Sequence, residues 1–133
     1  MKLYCDGGAR GNPGPAAAAF VVRDDKEKIL FKGSEFLGVA TNNVAEYRAL
    51  IAALDWAGNN ASEDVEVILD SELVKKQMTG EYKVKDAALK VLAMRAKKLE
   101  RLIVGNVRYT HTPRKGNSAA DSLVNTTLDE RAK

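Results

Sequence analysis

Alternation opens the chain. Across Lys2–Asp6, Leu3 and Cys5 fall on one face and Tyr4 and Asp6 on the other, which predicts a strand. Ala16–Arg23 is small and almost wholly apolar, as in a buried central strand. Asp24-Asp25-Lys26 reads as a turn, and Lys28–Phe36 returns as a third strand, giving an antiparallel meander. The period then lengthens. Tyr47, Leu50, Ile51, Leu54 and Gly58 recur at helical spacing, and Gly58-Asn59-Asn60 is the expected stop. Val65–Leu69 is a short apolar run of the kind buried on both sheet faces. Ser71–Met78 predicts a short helix stopped by Gly80. Asp86–Arg101 predicts a longer one, with Leu89, Leu92, Ala93, Ala96 and Leu99 as its apolar stripe. Ile103–Thr110 predicts a fifth strand, Thr112–Asn117 a loop, and Ser118 to about Glu130 a final helix. The order β-β-β-α-β-α-α-β-α implies an α/β fold: a mixed five-stranded sheet, a three-stranded meander plus parallel strands, with helices on both faces.

Composition narrows the chemistry. The 133 residues fit one domain, 1–133, with a core that needs no disulfide. Cys5 and His111 are the only residues of their kinds. No internal disulfide can form, which suits a reducing, cytoplasmic setting. A four-ligand zinc site of the usual kind is excluded, so any metal is held mainly by oxygen. No run approaches a membrane span, and no apolar signal segment opens the chain. Net charge is only +3, but Asp70–Lys115 carries twelve basic and five acidic residues, and the rest nine and thirteen. Such a segment is either a solvated helix surface or a patch that meets a polyanion.

Four acids stand out. Asp6 and Asp70 each end an apolar strand, where Asp is disfavoured. If those strands lie side by side and parallel, the two carboxylates meet at the sheet edge where ligands of open α/β sheets bind. They then repel unless a proton or cation lies between them, and oxygen donors favour Mg²⁺ or Mn²⁺. Each acid also has a structural reading. Asp70 could cap the next helix, Asp6 could be a turn residue, and Asp121 could complement a helix dipole. Glu46, three residues after Asn43, could close a capping box. Gly7–Pro15 is rich in glycine and proline. Pro13-Gly14 suits a type II turn, and the glycines permit close approach to a ligand, yet neither a P-loop nor a dinucleotide fingerprint is present.

Four motifs in order carry a family resemblance. Asp6-Gly7-Gly8 with Asn12-Pro13-Gly14, Thr41-Asn42-Asn43 with Glu46, Asp70-Ser71 after an apolar strand, and Asn117 with Asp121 together resemble type 1 ribonuclease H over nearly the whole chain. The resemblance implies the ribonuclease H-like fold and an endonuclease that cuts the RNA strand of RNA–DNA hybrids. Asp6, Glu46, Asp70 and Asp121 would be the catalytic carboxylates and ligands of two Mg²⁺ ions, replaceable by Mn²⁺, roughly 4 Å apart. Products would carry 5′-phosphate and 3′-hydroxyl ends. Gly7, Gly8, Asn12, Thr41, Asn42, Asn43 and Ser71 correspond to substrate-contacting positions, with amides suited to a 2′-hydroxyl. Asn42 and Asn43 could equally cap a helix. His111 matches the spacing of a mobile active-site histidine that assists proton transfer or product release, or is an ordinary strand-end residue. Arg114 could take an electrostatic role in its place.

Glu72 replaces the Gln common in relatives. The basic protrusion of some members is reduced to Thr79–Lys85, leaving Lys75, Lys76, Lys83, Lys85, Lys90 and Lys97 as backbone-phosphate contacts. Tyr82 is expected to pack, and Trp56 to be a core or edge residue. A monomer is expected, since no large apolar helix face is left over. The alternatives are a broader nuclease that also cuts double-stranded RNA, a non-catalytic hybrid-binding module, and an actin-like ATPase; the last lacks a second phosphate hairpin.

Overall fold

A computed structural model describes residues 1–132. The elements are β1 (Lys2–Ala9), β2 (Gly14–Arg23), β3 (Ile29–Ala40), α1 (Asn42–Asn60), β4 (Val65–Leu69), α2 (Glu72–Met78), α3 (Ala87–Arg101), β5 (Val107–His111) and α4 (Ser118–Arg131). A 3₁₀ turn at Arg114–Asn117 precedes α4. The strands form one mixed sheet in the order β3-β2-β1-β4-β5. β1–β2 and β2–β3 are antiparallel, while β1–β4 and β4–β5 are parallel.

β2 is apolar throughout because both of its faces are covered. Ala18, Phe20 and Val22 join the large core with Leu3, Cys5, Tyr47, Leu50 and Leu54, while Ala17 and Ala19 pack against Val124 and Leu128 of α4. Helices therefore cover both sheet faces, as the element order predicts. Within the stripe of α3, Leu89, Ala93 and Ala96 are buried, and Leu92 and Leu99 pack partly against the core. Its outer side leaves Val91 and Met94 exposed, a small apolar strip.

Several boundaries move. β1 runs through the glycines to Ala9, paired opposite Ala16, so Asp6 lies inside a strand and is not a turn residue. α1 does end at Asn60, within the expected stop, and its N-cap is Thr41, whose hydroxyl accepts from the Val44 amide at 3.2 Å. Neither Asn42 nor Asn43 caps that helix, and Glu46 closes no capping box. Ser71, not Asp70, caps α2 and accepts from the Val74 amide at 3.2 Å. β5 begins at Val107, because Ile103 enters the core from a turn and Gly105 then passes against the Glu63–Asp64 main chain. Gly14 opens β2 and the positive φ of this loop, 92°, falls at Gly11, so Pro13-Gly14 forms no type II turn. Tyr82 does not pack inward; it lies half exposed with the Lys76 ammonium 4.9 Å from its ring centre. Trp56 stacks on Phe31 of the edge strand with ring centres 5.4 Å apart.

Candidate active site

The parallel register of β1 and β4 ends with Cys5 opposite Leu69, which sets Asp6 and Asp70 side by side just beyond that ladder. Glu46 arrives from the second turn of α1. Gly7 allows this, since a Cβ there would collide with the Ala45 carbonyl and the Glu46 amide. The glycine's close approach is thus to the protein's own helix. Asp121 arrives from the first turn of α4. Asp6, Glu46 and Asp121 line one cleft of about 350 Å³ together with Gly7, Gly8, Arg10, Asn42, Arg114 and Asn125. Asp70 does not line it; its Oδ2 is buried without a hydrogen-bond partner.

The carboxylates perturb one another. Burial, then the charges of Asp70 and Asp121, push the Asp6 carboxyl up to about 8, against a weaker opposing pull from Arg114. Burial pushes Glu46 up to about 7, opposed by a hydrogen bond from Ser71 and aided by the charge of Asp70. Arg114 therefore neutralises these acids only in part. All-oxygen donors and the orphaned Asp70 Oδ2 suit a hard divalent cation. Among the described residues, no three His, Cys, Asp or Glu side chains are already gathered round a single point.

The other predicted residues divide. Asn42 Oδ1 accepts from the Ala9 amide at 2.8 Å, and the Asn42 amide donates to Asn12 Oδ1 at 3.0 Å. These bonds lock the β1–β2 loop to the start of α1 and use only the amide oxygens. Thr41 and Ser71 cap helices beside the cleft, and Asn43 sits in the first turn of α1. Arg114 lines the cleft from the 3₁₀ turn. His111 ends β5 opposite Leu69, exposed and outside the cleft lining. Glu72 points to Lys76, 2.6 Å away, which holds its carboxyl below the usual range. Tyr82, Lys83, Lys90, Met94 and Lys97 line a second groove between α2 and α3.

Two contacts escaped the sequence reading. Asn117, buried at the start of α4, donates from Nδ2 to the Cys5 carbonyl at 2.6 Å, joining the helix of Asp121 to the strand of Asp6. Arg10 bonds to Asp129 of α4 at 2.6 Å. Neither shows any periodicity, because both partners lie more than a hundred residues away. The placement of Asn117 four residues before Asp121 was the only available hint.

A mixed sheet with adjacent acids just beyond the ladder of two parallel strands, completed by acids from two helices, defines an α/β domain of the ribonuclease H-like class. Residues 4–127 match the family described as reverse transcriptase-like. Ribonuclease HI of Halobacterium salinarum is 43% identical over 132 residues, 98% of this chain and 65% of that protein. A bifunctional protein of Mycobacterium tuberculosis is also 43% identical, over 99% of this chain and 36% of its own length. The chain therefore spans less than two thirds of these relatives. The crystal structure of the Halobacterium RNase H1 superposes with a TM-score of 0.92, at 43% identity and with 97% of each chain covered. LC11-RNase H1, solved in complex with RNA/DNA hybrid, gives 0.93 at 42% identity, with 99% of each chain covered. The chain belongs to the type 1 ribonuclease H family.

Proposed function

We propose that this chain is a single catalytic domain over residues 1–133 that hydrolyses the RNA strand of RNA–DNA hybrids as a metal-dependent endonuclease. The observation that carries the reading is the meeting of Asp6, Glu46 and Asp121 in one cleft, with Asp70 beside Asp6. The relatives' names and the hybrid-bound neighbour support it.

Asp6, Glu46, Asp70 and Asp121 would hold two divalent ions, Mg²⁺ or Mn²⁺, which when bound would supply an activated water and stabilise the leaving 3′-oxygen. The chain's own part is positional. Gly7 and Asn117 fix the spacing of the three acid-bearing segments. Arg114 offsets negative charge at Asp6 and Glu46 while the phosphate approaches. The Nδ2 groups of Asn12 and Asn42 are left for 2′-hydroxyls, which distinguish RNA from DNA. Attack in line with the leaving oxygen leaves a 5′-phosphate and a 3′-hydroxyl. Lys83, Lys90 and Lys97 add backbone contacts that salt weakens. His111 would serve proton transfer or product release from the strand end. The same reading takes the protein as a cytoplasmic monomer.

The test is cleavage of an end-labelled hybrid with Mg²⁺ or Mn²⁺, beside RNA duplex, DNA duplex and single strands, for wild type and Asp70→Asn. Metal-dependent cutting of the hybrid's RNA strand, lost in the variant, supports the reading, and cutting of RNA duplex would broaden it. No cutting with hybrid binding intact would overturn it in favour of a binding module.

A further inference from the structure

We propose that Arg10 is a phosphate-binding residue held in reserve by Asp129. In this proposal its guanidinium exchanges that carboxylate for a non-scissile phosphate of the strand that crosses the acidic cleft. The inference rests on the hybrid-cleaving reading above and extends it to a specific subsite.

Arg10 leaves β1 four residues after Asp6 and lines the same cleft as the acids. Its side-chain hydrogen bonds, among the described residues, use one nitrogen: Nη2 donates to Asp129 Oδ1 at 2.6 Å and to the Asn125 carbonyl at 3.4 Å. Among the described residues, no hydrogen bond uses Nε or Nη1. A guanidinium carries five donors in a planar fork that matches phosphate, so most of this fork is unspent. The pair with Asp129 is open to water, the side chains being 44% and 65% exposed. Exposed pairs of this kind hold their partners weakly, so an incoming phosphate can displace the carboxylate.

Position decides which phosphate. Asp121, Asn125 and Asp129 repeat every four residues on one stripe of α4, and Asn125 Nδ2 reaches back to the Asp121 carbonyl at 3.2 Å. The eight residues from Asp121 to Asp129 span roughly 12 Å of helix. Arg10 meets this stripe at Asn125 and Asp129, about one and two turns beyond Asp121, while Arg114 acts on Asp6 and Glu46 themselves. Arg10 faces a neighbouring phosphate on the same strand. Asp129 then acts on substrate through the arginine, which it occupies until a phosphate displaces it.

A structural brace between the β1–β2 loop and α4 would look the same at rest but respond with the opposite sign. The test uses the full chain and an RNA–DNA hybrid, reading kcat and KM with metal, hybrid Kd in chelator across a salt series, and Tm. Arg10→Ala should raise KM and Kd about fivefold, leave kcat within about twofold, and flatten the salt slope by about one phosphate contact. Asp129→Asn should lower KM about two- to threefold in the wild-type background and change nothing when Arg10 is Ala. Arg10→Lys should fall between, because it keeps the charge and loses the fork. If Asp129→Asn and Arg10→Ala both weaken binding and lower Tm alike, the pair is a brace and the proposal fails. It also fails if Asp129→Asn helps equally without Arg10, since that is a general charge effect. Should Arg10→Ala not fold, Asp129→Asn and Arg10→Lys still decide the sign. Absence of wild-type cleavage would instead strike the underlying reading.

Discussion

Gly7→Ala tests whether one backbone contact sets the spacing of the acids. A Cβ at Gly7 would lie 2.5 Å from the Glu46 amide nitrogen and closer still to the Ala45 carbonyl, whereas ordinary contact begins at 3.4 Å. β1 and α1 must therefore part by roughly 1 Å to admit the methyl. The obstructing atoms are main chain within a helix and cannot swing aside. Overpacking costs about 1–3 kcal/mol, and the rigid obstruction puts Gly7→Ala near the upper figure. In a domain of this size that loss lowers Tm by roughly 10 °C. The same shift carries the Asp6 and Glu46 carboxylates apart, and a misplacement of about 1 Å can cost about 100-fold in rate. Gly8→Ala is the matched control for stability, because its added Cβ would meet only Val124 Cγ1 at 3.8 Å. Thermal unfolding in chelator and single-turnover cleavage of a hybrid, run on both variants, give the two readouts. A Gly7→Ala protein with the Tm and rate of wild type would refute the claim that this contact positions the acids.

Asn117→Ala strips the buried Cys5 carbonyl of its donor and should cost about 1–3 kcal/mol, read as a lower urea midpoint at unchanged slope. An unchanged midpoint would mean that the carbonyl finds another partner. Asp70→Asn removes one charge from an under-neutralised cluster, so the chelated variant should melt higher than wild type while losing metal-dependent cleavage. A lower Tm would show that Asp70 supports the fold. In chelator, Asp6 and Glu46, raised to about 8 and about 7, bind protons more tightly folded than unfolded. Their stabilising contribution is complete below pH 4 and is lost as pH rises toward 8. Tm should therefore fall between pH 5 and 8, and fall less in Asp70→Asn; a rise would contradict the assigned shifts.

Much of this was legible because period reports burial. β2 reads as buried on both faces and is, since Ala18 and Phe20 meet one core and Ala17 and Ala19 the other. The acids were legible from strand ends and motif order, and the parallel β1–β4 pairing brings Asp6 and Asp70 together as expected. Element ends were less legible. Gly7 and Gly8 look like a loop, yet they stay in β1 because Ala18 and Ala17 pair with them. Ile103 looks like strand because it is buried, but it is buried from a turn. Contacts across the chain left no local trace. Tyr47 donates to the buried Gln77 at 2.6 Å, joining α1 to α2 behind the cleft, and nothing in either segment announces the bond.

The means by which the acids are brought together bears on how the site can change. Carboxylates that raise one another's proton affinity do not assemble themselves. They are brought together against repulsion by the close backbone approach at Gly7, a buried amide at Asn117 and the β1–β4 ladder. None of these contacts uses a carboxylate oxygen. An acid can therefore be neutralised without loosening the frame, which is why the same change is predicted to end cleavage and raise Tm. Changes to Gly7 or Asn117 act on the frame and should lower both activity and stability. Stability and activity moving in opposite directions at the acids, and together at the frame, is the pattern that separates residues performing chemistry from residues that place them.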